Sequence, residues 1–442
     1  MAVSARPAVD LSRLLDERSL TALQILVAVL SALIMFVDGY DVQVMALAVP
    51  LVAREWSLTT PHFSLALSAV LLGISVGAMF IAPLGDRVGR RTLLILAMAV
   101  IGLATTLTST AASPWQFVLW RLLTGIGLGI SIPNCNAWTA EYVPIRSRAT
   151  ILVVMNAAIG AGSFCAGLIA PVIFAHWGWR GAFVIGGVSP LVIGALILTV
   201  APESLKFLVL RRPEDPRIRS ILARLAPDID PATPFERPQA TAAPSRWSLV
   251  ELLAPLYRRR TIVLWIVVIF NLFTLYVLIS WLPTLLERAG WPLNDALDGA
   301  AIIQAGGVIG GIFLSVFLSR GTTIPALIVT FIVTGACLVL FRMAPAAAAV
   351  SWLLLFVIGA GTSGTQLSLN ALSTGYYPPA IKATGMSWAG VVGNVGAFLA
   401  PVVGGWGIDQ RLSSANILSL LAVFPAICVI GTLFMRREWQ WN

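Results

Sequence analysis

The chain has 442 residues, of which 58% are hydrophobic and 11% charged, and its formal net charge is +9 at pH 7. Soluble globular proteins carry about 25% charged residues, so this composition excludes a soluble domain and predicts an integral membrane protein. Apolar runs of about 20 residues recur along the chain. Each is long enough to cross a hydrocarbon core of roughly 30 Å, which predicts membrane-spanning helices and not the short alternating strands of a barrel.

Twelve membrane-spanning helices are predicted, in two groups of six. The predicted spans are 22–51, 62–84, 92–112, 115–141, 149–175 and 181–201, followed by 260–286, 297–319, 322–342, 347–375, 382–407 and 412–435. The segment between the groups is rich in Pro, Arg and acidic residues, as linkers are, and has short amphipathic stretches around 216–226 and 247–257. The predicted organisation is a cytoplasmic N-terminus (1–21), an N-terminal bundle (22–201), a cytoplasmic linker (202–259), a C-terminal bundle (260–435) and a cytoplasmic C-terminus (436–442).

The basic residues lie mainly in loops on one side of the predicted spans, which is the positive-inside pattern. This pattern explains the net charge without nucleic acid and predicts that both termini are cytoplasmic. No small-residue cleavage site follows the first apolar run, so that run is expected to be retained as the first span.

Four cysteines lie in apolar runs without CxxC pairing, and His62 and His176 fall in predicted outer loops. Neither a metal site nor a His-based active centre is predicted.

The two groups of helices repeat each other at an offset of 233 or 234 residues. EYVPIRSRAT (141–150) aligns with GYYPPAIKAT (375–384), and Asp38 aligns with Asn271. Duplicated bundles are typical of secondary transporters. Acids in the first half align with amides in the second, so proton chemistry is expected in the first half and neutral substrate contacts in the second.

The first predicted span contains two acids, Asp38 and Asp41, in the run FVDGYDVQVMALAVP (36–50). A charge at membrane depth costs roughly 2.5–3.5 kcal/mol on insertion scales, so such acids are candidate functional residues. Their spacing places both carboxyls about 60° apart on one helix face, where like charges interact, so one of them is a candidate proton carrier. Tyr40 between them adds an aromatic ring with a polar tip. The alternative is a carboxylate that pairs with a fixed Arg and only holds helices together.

Arg121 lies well inside the fourth predicted span, at a depth from which its side chain reaches the two acids. The functional interpretation is an Asp and Arg couple, in which protonation of the acid frees the guanidinium for a carboxylate substrate. The alternative is a permanent structural ion pair. In the same span, Asn134 follows Pro133 and is expected to present its amide to a cavity.

The loop GDRVGRR (85–91) joins the second and third spans and is predicted to be a conformational latch. The latch residues are Gly85, Asp86, Arg87, Gly89, Arg90 and Arg91. Asp86 is expected to dock on the N-terminal dipole of another helix and to be released when the halves move. The alternative is that the basic residues only set the topology.

The second half has neutral polar residues inside its predicted spans, with Trp281 and Trp388 as possible stacking planes. The polar residues are Asn271, Tyr276, Gln304, Gln366, Asn370 and Asn394. Each alone suits helix packing as well as ligand contact. Together, amides and aromatic rings without a second buried charge suit a flat, aromatic, singly anionic ligand.

Several motifs resemble the major facilitator superfamily and, within it, the bacterial aromatic acid:H+ symporters that carry 4-hydroxybenzoate or protocatechuate. The motifs are DGYD (38–41), GDRVGRR (85–91), RLLTGIGLG (121–129), APESLKFLV (201–209) and the segment 364–405. The resemblance implies import of hydroxylated benzoates at the inner membrane, with Asp38, Asp41 and Asp86 required for transport. In one departure, Asn394 stands where this family usually has Arg, which shifts the expected carboxylate contact to Arg121 or indicates another organic acid.

The predicted fold is therefore an all-α integral membrane protein of twelve transmembrane helices in two pseudo-symmetric six-helix bundles. The predicted function is proton-coupled import of an aromatic carboxylate by alternating access, by a monomer without an enzymatic activity or a cofactor other than the coupling proton. Proton coupling is assigned to Asp38, Asp41 and Arg121. Substrate binding is assigned to Tyr40, Asp41, Arg121, Asn134, Asn271, Tyr276, Gln304, Gln366, Asn370, Trp388 and Asn394. The alternatives are a porter of another organic acid and a drug/proton antiporter. A membrane-embedded enzyme is not favoured, because no nucleophile and base stand together in the sequence.

Overall fold

The computed structural model describes residues 20–225, 251–319, 323–377 and 382–439, and within these ranges it contains helices and no β-strand. The first half consists of α1 Ala22–Glu55, α2 Ser64–Val76, α3 Gly85–Val88, α4 Arg90–Thr108, α5 Pro114–Tyr142 and α6 Ile145–Val200, followed by the short helices α7 Leu205–Arg211 and α8 Arg217–Leu225. The second half consists of α9 Arg258–Arg288, α10 Leu293–Ser319, α11 Thr323–Leu340, α12 Ala349–Gly359, α13 Thr365–Tyr376, α14 Lys382–Asp409, α15 Ser414–Leu421 and α16 Val423–Trp439. Short turns lie between some of them: Thr60–Phe63, the π-turn Gly77–Ile81, Ala82–Leu84, Phe341–Met343 and the π-turn Ala360–Gly364.

Helix α6 contains two of the predicted spans. Eleven helices of the described chain are long and apolar enough to cross a membrane, and α6 is one of them with 56 residues. At 1.5 Å per residue a straight helix of that length would extend about 84 Å, far beyond a hydrocarbon core of roughly 30 Å. The helix is interrupted at Gly178, whose φ of 61° and ψ of −172° are open to glycine alone at little cost. The interruption falls between the predicted spans 149–175 and 181–201, so the twelve predicted spans are accounted for.

Local signals in the sequence explain where the long helices begin. Thr21 caps α1: its side chain accepts a hydrogen bond from the backbone N–H of Gln24, whose side chain bonds back to the backbone of Thr21. The side chain of Ser113 caps α5 by accepting from the backbone N–H of Gln116, and Pro114 occupies the first helical position, where a missing N–H costs nothing. The capping residues therefore fix the first turn of each helix before packing sets its length.

The two ends of the bundle are distinguished by their side chains. At the basic-loop end, where residues 85–91 lie, Gln24 donates to the carbonyl of Tyr142 (2.7 Å) and Arg91 donates to the carbonyl of Ile197 (3.3 Å). At the opposite end, Trp56 packs against Phe63, Phe117 and Trp179 with ring centroids 5.5–6.2 Å apart. This second end is called the Trp56 end below.

The sequence repeat is also a repeat in space. In each half, glycines let helices approach so closely that an added Cβ atom would collide with a backbone carbonyl of the neighbouring helix. The equivalent collisions are Gly162 with Phe36 and Gly396 with Ile269, Gly73 with Leu122 and Gly306 with Phe356, and Gly125 with Val70 and Gly359 with Ile303. All six residue pairs keep the offset of 233 or 234. The prediction of two pseudo-symmetric bundles is confirmed.

The two halves share a hydrophobic core toward the Trp56 end. The same buried cluster contains Phe63 of the first half and Trp281 and Leu285 of the second. Ser68 of α2 donates a hydrogen bond to the carbonyl of Phe398 of α14 (2.9 Å), which joins the halves directly. Arg54 at the end of α1 forms an ion pair with Glu287 at the end of α9. Packing and charge therefore both hold the halves together at this end.

The helices α7 and α8 lie in the segment predicted as a linker. The apolar face of α8 is formed by Ile218, Ile221, Leu222 and Leu225, which belong to the same buried cluster as Leu23 of α1. The predicted amphipathic stretch 216–226 overlaps α8. The other predicted stretch, 247–257, is described only from residue 251 onward, where Leu252 is buried. The domain boundaries stay a prediction.

Candidate transport site

A buried ion pair stands at the centre of the first half. Nη1 of Arg121 donates to Oδ2 of Asp41 at 2.9 Å, and both side chains are fully buried. Nη2 of Arg121 shares its two N–H groups among the hydroxyl oxygens of Thr105 (3.0 Å), Thr108 (3.2 Å) and Thr124 (3.1 Å). The hydroxyl of Thr105 in turn donates to Oδ1 of Asp41 at 2.6 Å. Both charges are thus neutralised and hydrogen-bonded, as burial requires.

The guanidinium of Arg121 has one further contact and one unused donor. Its Cζ lies 5.3 Å from the ring centroid of Phe183, which is a cation–π arrangement. Phe183 lies on the second arm of α6, the part of the helix that follows the interruption at Gly178. Its Nε donates to no hydrogen-bond acceptor among the described residues. The pair therefore joins α1, α4, α5 and α6, and one N–H group of the guanidinium is available for another acceptor.

Asp38 has a different partner from Asp41. Its Oδ2 accepts a hydrogen bond from the hydroxyl of Ser131 at 2.6 Å, and its Oδ1 accepts none from the described part of the protein. One turn further along α1, Val42 lines a small cavity between the halves. The two acids share a helix face as predicted, yet Asp41 is paired with the cation of Arg121, whereas Asp38 accepts a hydrogen bond from a neutral hydroxyl.

The cavity between the halves is mainly apolar. It is lined by Val42, Met45, Ala46, Leu67, Val70, Leu71, Tyr276, Ile279 and Ser280. The structure thus places Tyr276 opposite the first half, together with the hydroxyl of Ser280. Apart from the hydroxyl groups of Tyr276 and Ser280, the side chains that line the cavity are therefore apolar.

Three amides predicted for the second half form one hydrogen-bonded chain. Nδ2 of Asn271 donates to Oε1 of Gln366 (2.8 Å), and Nε2 of Gln366 donates to Oδ1 of Asn370 (3.0 Å). Asn271 also donates to the carbonyl of Thr362 (3.4 Å), in the π-turn that follows α12. Such turns are frequent at functional sites.

The second half has neutral residues at the positions equivalent to the buried ion pair. At the repeat offset, Asn271 is equivalent to Asp38, Thr274 to Asp41 and the buried Leu355 to Arg121. The same fold thus holds charges on one side of the pseudo-symmetry axis and neutral groups on the other.

The remaining second-half residues are dispersed. Gln304 is buried on α10, and Trp388 packs against Trp265 with ring centroids 6.5 Å apart. Asn394 donates to the hydroxyl of Ser75 on α2 (3.3 Å) and so joins the two halves. Trp281, expected as a stacking plane, is buried and donates to the carbonyl of Pro401 (2.9 Å), which is a packing role.

Two residues predicted to bind substrate are held elsewhere. The hydroxyl of Tyr40 donates to the carbonyl of Ala182 (3.1 Å), so its ring is directed at the second arm of α6. Asn134 accepts from Nη1 of Arg90 (3.0 Å) and donates to the carbonyl of Ala82 (3.2 Å) at the basic-loop end. Neither lies with the second-half amides, because the rotation of α1 and the turn after α2 place them against other helices.

The basic loop forms a network, although not the one predicted. Asp86 bonds to Arg90 one turn further along the chain, and its side chain is 68% exposed. Nε of Arg90 also lies 3.7 Å from Oε1 of Glu141 at the end of α5. Arg87 is exposed, and a Cβ atom on Gly85 would collide with Asn134. In this structure Asp86 therefore bonds to the side chain of Arg90, and its role as a latch that docks on another helix stays a prediction.

The carboxylate at a helix N-terminus is that of Glu203. Its Oε1 accepts from the backbone N–H of Arg91 (3.0 Å) in the first turn of α4, where the helix dipole favours an anion. Its Oε2 accepts from the hydroxyl of Thr92 (3.4 Å). Gly89 precedes this turn with a φ of 109°, and a Cβ atom there would lie 2.8 Å from Cδ of Glu203. Sequence reasoning missed both Glu141, the last residue of a predicted span, and Glu203, which lies two residues beyond the end of another.

Two repeated helix bundles, with a buried ion pair in one and a chain of amides in the other, define a multi-pass membrane transport protein. The profile of the Major Facilitator Superfamily matches residues 31–401. The chain belongs to the major facilitator superfamily, whose members are transporters and not enzymes.

Named relatives agree with this assignment. The chain is 32% identical over 420 residues to the gallate transporter of Pseudomonas putida, covering 94% of this chain and 92% of that protein. It is 29% identical over 434 residues to the 4-hydroxybenzoate transporter PcaK of Acinetobacter baylyi, covering 98% and 95%. It is 30% identical over 398 residues to the gentisate transporter of Corynebacterium glutamicum, covering 87% and 84%. The resemblance to aromatic acid transporters of the superfamily is confirmed.

Solved structures share the fold. A bacterial homologue of the human lysosomal transporter Spinster, in an inward-facing and occupied conformation, matches with a TM-score of 0.73 at 17% identity, covering 95% of this chain and 98% of the other. The xylose transporter XylE of Escherichia coli, in a partially occluded inward-open conformation, matches with a TM-score of 0.68 at 16% identity, covering 94% and 99%.

Proposed function

We propose that the protein imports an aromatic carboxylate together with protons across the bacterial inner membrane, by alternating access of one site to the two sides. The observation that carries the proposal is the fully buried pair of Asp41 and Arg121, whose equivalents in the second half are neutral. A buried ion pair is weak evidence for stability, because well-packed apolar residues often serve as well. In a transporter the pair supplies an acid that binds a proton and a cation that binds an anion.

Exchange of partners at Arg121 couples the two ligands. While Asp41 is ionised it occupies Nη1 of Arg121, and Nε has no acceptor among the described residues. Protonation of Asp41 removes the negative charge, so the guanidinium then attracts the carboxylate of the substrate, which fits its planar fork. Asp38, with one oxygen unpaired, is the second group that can hold a proton. Binding of the proton and binding of the anion therefore favour each other.

The second half supplies neutral contacts for the ring. Asn271, Gln366 and Asn370 already form a hydrogen-bonded chain, and Tyr276 lines the cavity between the halves. Asn394 stands where the family resemblance leads us to expect an Arg, so the carboxylate contact is assigned to Arg121. The names of the relatives, which transport gallate, 4-hydroxybenzoate and gentisate, support an aromatic acid as the cargo.

Uptake into proteoliposomes tests the proposal. Labelled benzoate, 4-hydroxybenzoate and protocatechuate are offered with an imposed inward proton gradient and with the gradient collapsed. At least one acid is expected to accumulate only with the gradient, and its uptake is expected to be abolished in Asp41→Asn. Accumulation by Asp41→Asn at the wild-type level overturns the coupling role of Asp41. Failure of all three acids in folded wild-type protein overturns the aromatic cargo, and proton movement opposite to that of the acid overturns symport in favour of antiport.

A further inference from the structure

Gln43 is a buried amide whose acceptor is unused. It lies on α1 two residues beyond Asp41, and its side chain is 1% exposed. Its Oε1 accepts no hydrogen bond from the described residues. An unpaired buried acceptor costs about 1–3 kcal/mol, so native proteins rarely retain one without a reason. Nothing in the coupling scheme above uses Gln43.

Contacts between α1 and the first arm of α6 fix the depth of Gln43. The hydroxyl of Ser163 donates to the carbonyl of Gly39 at 2.8 Å, and Gly162 packs directly on the backbone of Phe36. Both helix segments run from the basic-loop end toward the Trp56 end. Gln43 lies about 6 Å beyond Gly39 at 1.5 Å per residue, and is therefore level with about residue 167 of α6.

Contacts between α6 and α10 fix the depth of Gln304 in the same way. A Cβ atom on Gly167 would lie 2.8 Å from Cβ of Ala301, and one on Gly160 would lie 2.6 Å from Cγ2 of Val308. Helix α10 runs in the opposite direction, so Gln304 is level with about residue 164 of α6. Gln43 and Gln304 thus differ in depth along the helix axes by only about 4–5 Å.

The internal repeat leads to the same place independently. The offset of 233 relates Tyr276 to Gln43 and Leu71 to Gln304. Tyr276 and Leu71 line one cavity between α9, α1 and α2. The pseudo-twofold axis therefore relates that cavity to a place between α1, α9 and α10, where the two glutamines take the positions of Tyr276 and Leu71.

We propose that Gln43, together with Gln304, forms a subsite that receives a ring hydroxyl of the substrate and selects hydroxylated over unsubstituted aromatic acids. The inference rests on the proposed function and deepens it. The unpaired carbonyl of Gln43 needs a hydrogen-bond donor. A substrate carboxylate has none, whereas a phenolic hydroxyl has one. A site built to bond a hydroxyl disfavours the analogue that lacks it, because its own polar group then stays unpaired.

The test compares pairs of substrates that differ by one hydroxyl group. Half-saturating concentrations for benzoate and 4-hydroxybenzoate, and for 4-hydroxybenzoate and protocatechuate, are measured in proteoliposomes with wild-type protein and with Gln43→Leu, which keeps the size and removes the acceptor. The variant is expected to weaken the binding of the preferred hydroxylated acid about tenfold and to leave benzoate within about twofold. Gln304→Leu, on α10, is expected to change the ratio of the half-saturating concentrations of the two acids in each pair in the same direction.

A matched control separates this effect from the removal of any buried polar atom. Thr284 on α9 also has a buried hydroxyl without a described partner, and Thr284→Val is expected to leave all ratios unchanged. Unchanged ratios in both glutamine variants, in protein that still transports, overturn the subsite and leave the proposed function intact. Absence of transport by the wild-type protein overturns both the subsite and the proposed function. If Gln43→Leu fails to fold, the result for Gln304→Leu decides.

Discussion

Breaking the ion pair of Asp41 and Arg121 is expected to destabilise the protein strongly. In Asp41→Asn, Nη1 of Arg121 loses its anionic partner. The fully buried guanidinium then has neutral partners: the ring of Phe183 and the hydroxyls of Thr105, Thr108 and Thr124. Removing one member of a buried pair costs about 3–5 kcal/mol, because the other charge remains uncompensated. At roughly 2 °C per kcal/mol for a large chain, the apparent melting temperature should fall by roughly 6–10 °C.

The double variant Asp41→Asn with Arg121→Gln removes both charges and leaves two amides that can bond to each other. It is expected to be more stable than either single variant, since no uncompensated charge remains. The assay is thermal unfolding of the purified protein in detergent, followed by tryptophan fluorescence. Asp86→Asn is the matched control, because it makes the same chemical change at a side chain that is 68% exposed, where an ion pair contributes about 1 kcal/mol or less.

Two outcomes would refute this reasoning about the buried pair. One is an Asp41→Asn protein with the same melting temperature as the wild type, which would mean that the guanidinium is solvated or that another group compensates its charge. The other is a double variant less stable than both single variants, which would mean that packing of the long side chains outweighs their charges.

Two further predictions concern the basic-loop end. Gly89→Ala should lower the free energy of unfolding by about 1–3 kcal/mol, because its φ of 109° disfavours a side chain and the added Cβ meets the carboxylate of Glu203. Gly390→Ala, where nothing lies within 4 Å of the new Cβ, is the control and should be neutral or stabilising. Equal melting temperatures for the two variants would contradict the proposed strain at Gly89. Glu203→Ala should slow or unbalance exchange between the inward-facing and outward-facing conformations more than Asp86→Asn does, because Glu203 accepts a hydrogen bond from the N–H of Arg91 in the first turn of α4. Counterflow of the transported acid measures the rate of this exchange. A larger effect of Asp86→Asn would indicate that the exposed carboxylate of Asp86, and not Glu203, is the latch.

Much of the architecture follows from the sequence because the physical signals are local. The number of spans and the break near Gly178 follow from apolar length, and the repeat follows from motifs at a fixed offset. The meeting of Asp41 with Arg121 was predictable from depth alone, since both stand inside spans and one charge there needs another.

The contacts that sequence reasoning missed depend on helix rotation and on distant neighbours. Periodicity gives the angle between two residues of one helix, but not which neighbour each of them faces, so it did not predict that Tyr40 bonds to α6 or that Asn134 bonds to Arg90. Glu203 meets the start of α4 more than a hundred residues away in the chain, and only the packing of α6 against α4 brings the two together. Gln43 was overlooked because its significance lies in a bond that it does not make.

The ion pair of Arg54 and Glu287 shows how far the two halves have diverged. The offset of 233 relates these residues to each other, so the pair lies across the pseudo-twofold axis where the ends of α1 and α9 meet. Two identical halves would place Arg against Arg or Glu against Glu at this point, and like charges would repel. Attraction here requires that the halves differ, so two copies of the first bundle could not seal the Trp56 end in this way. The two bundles of this single chain are therefore related in fold but specialised for contact with each other.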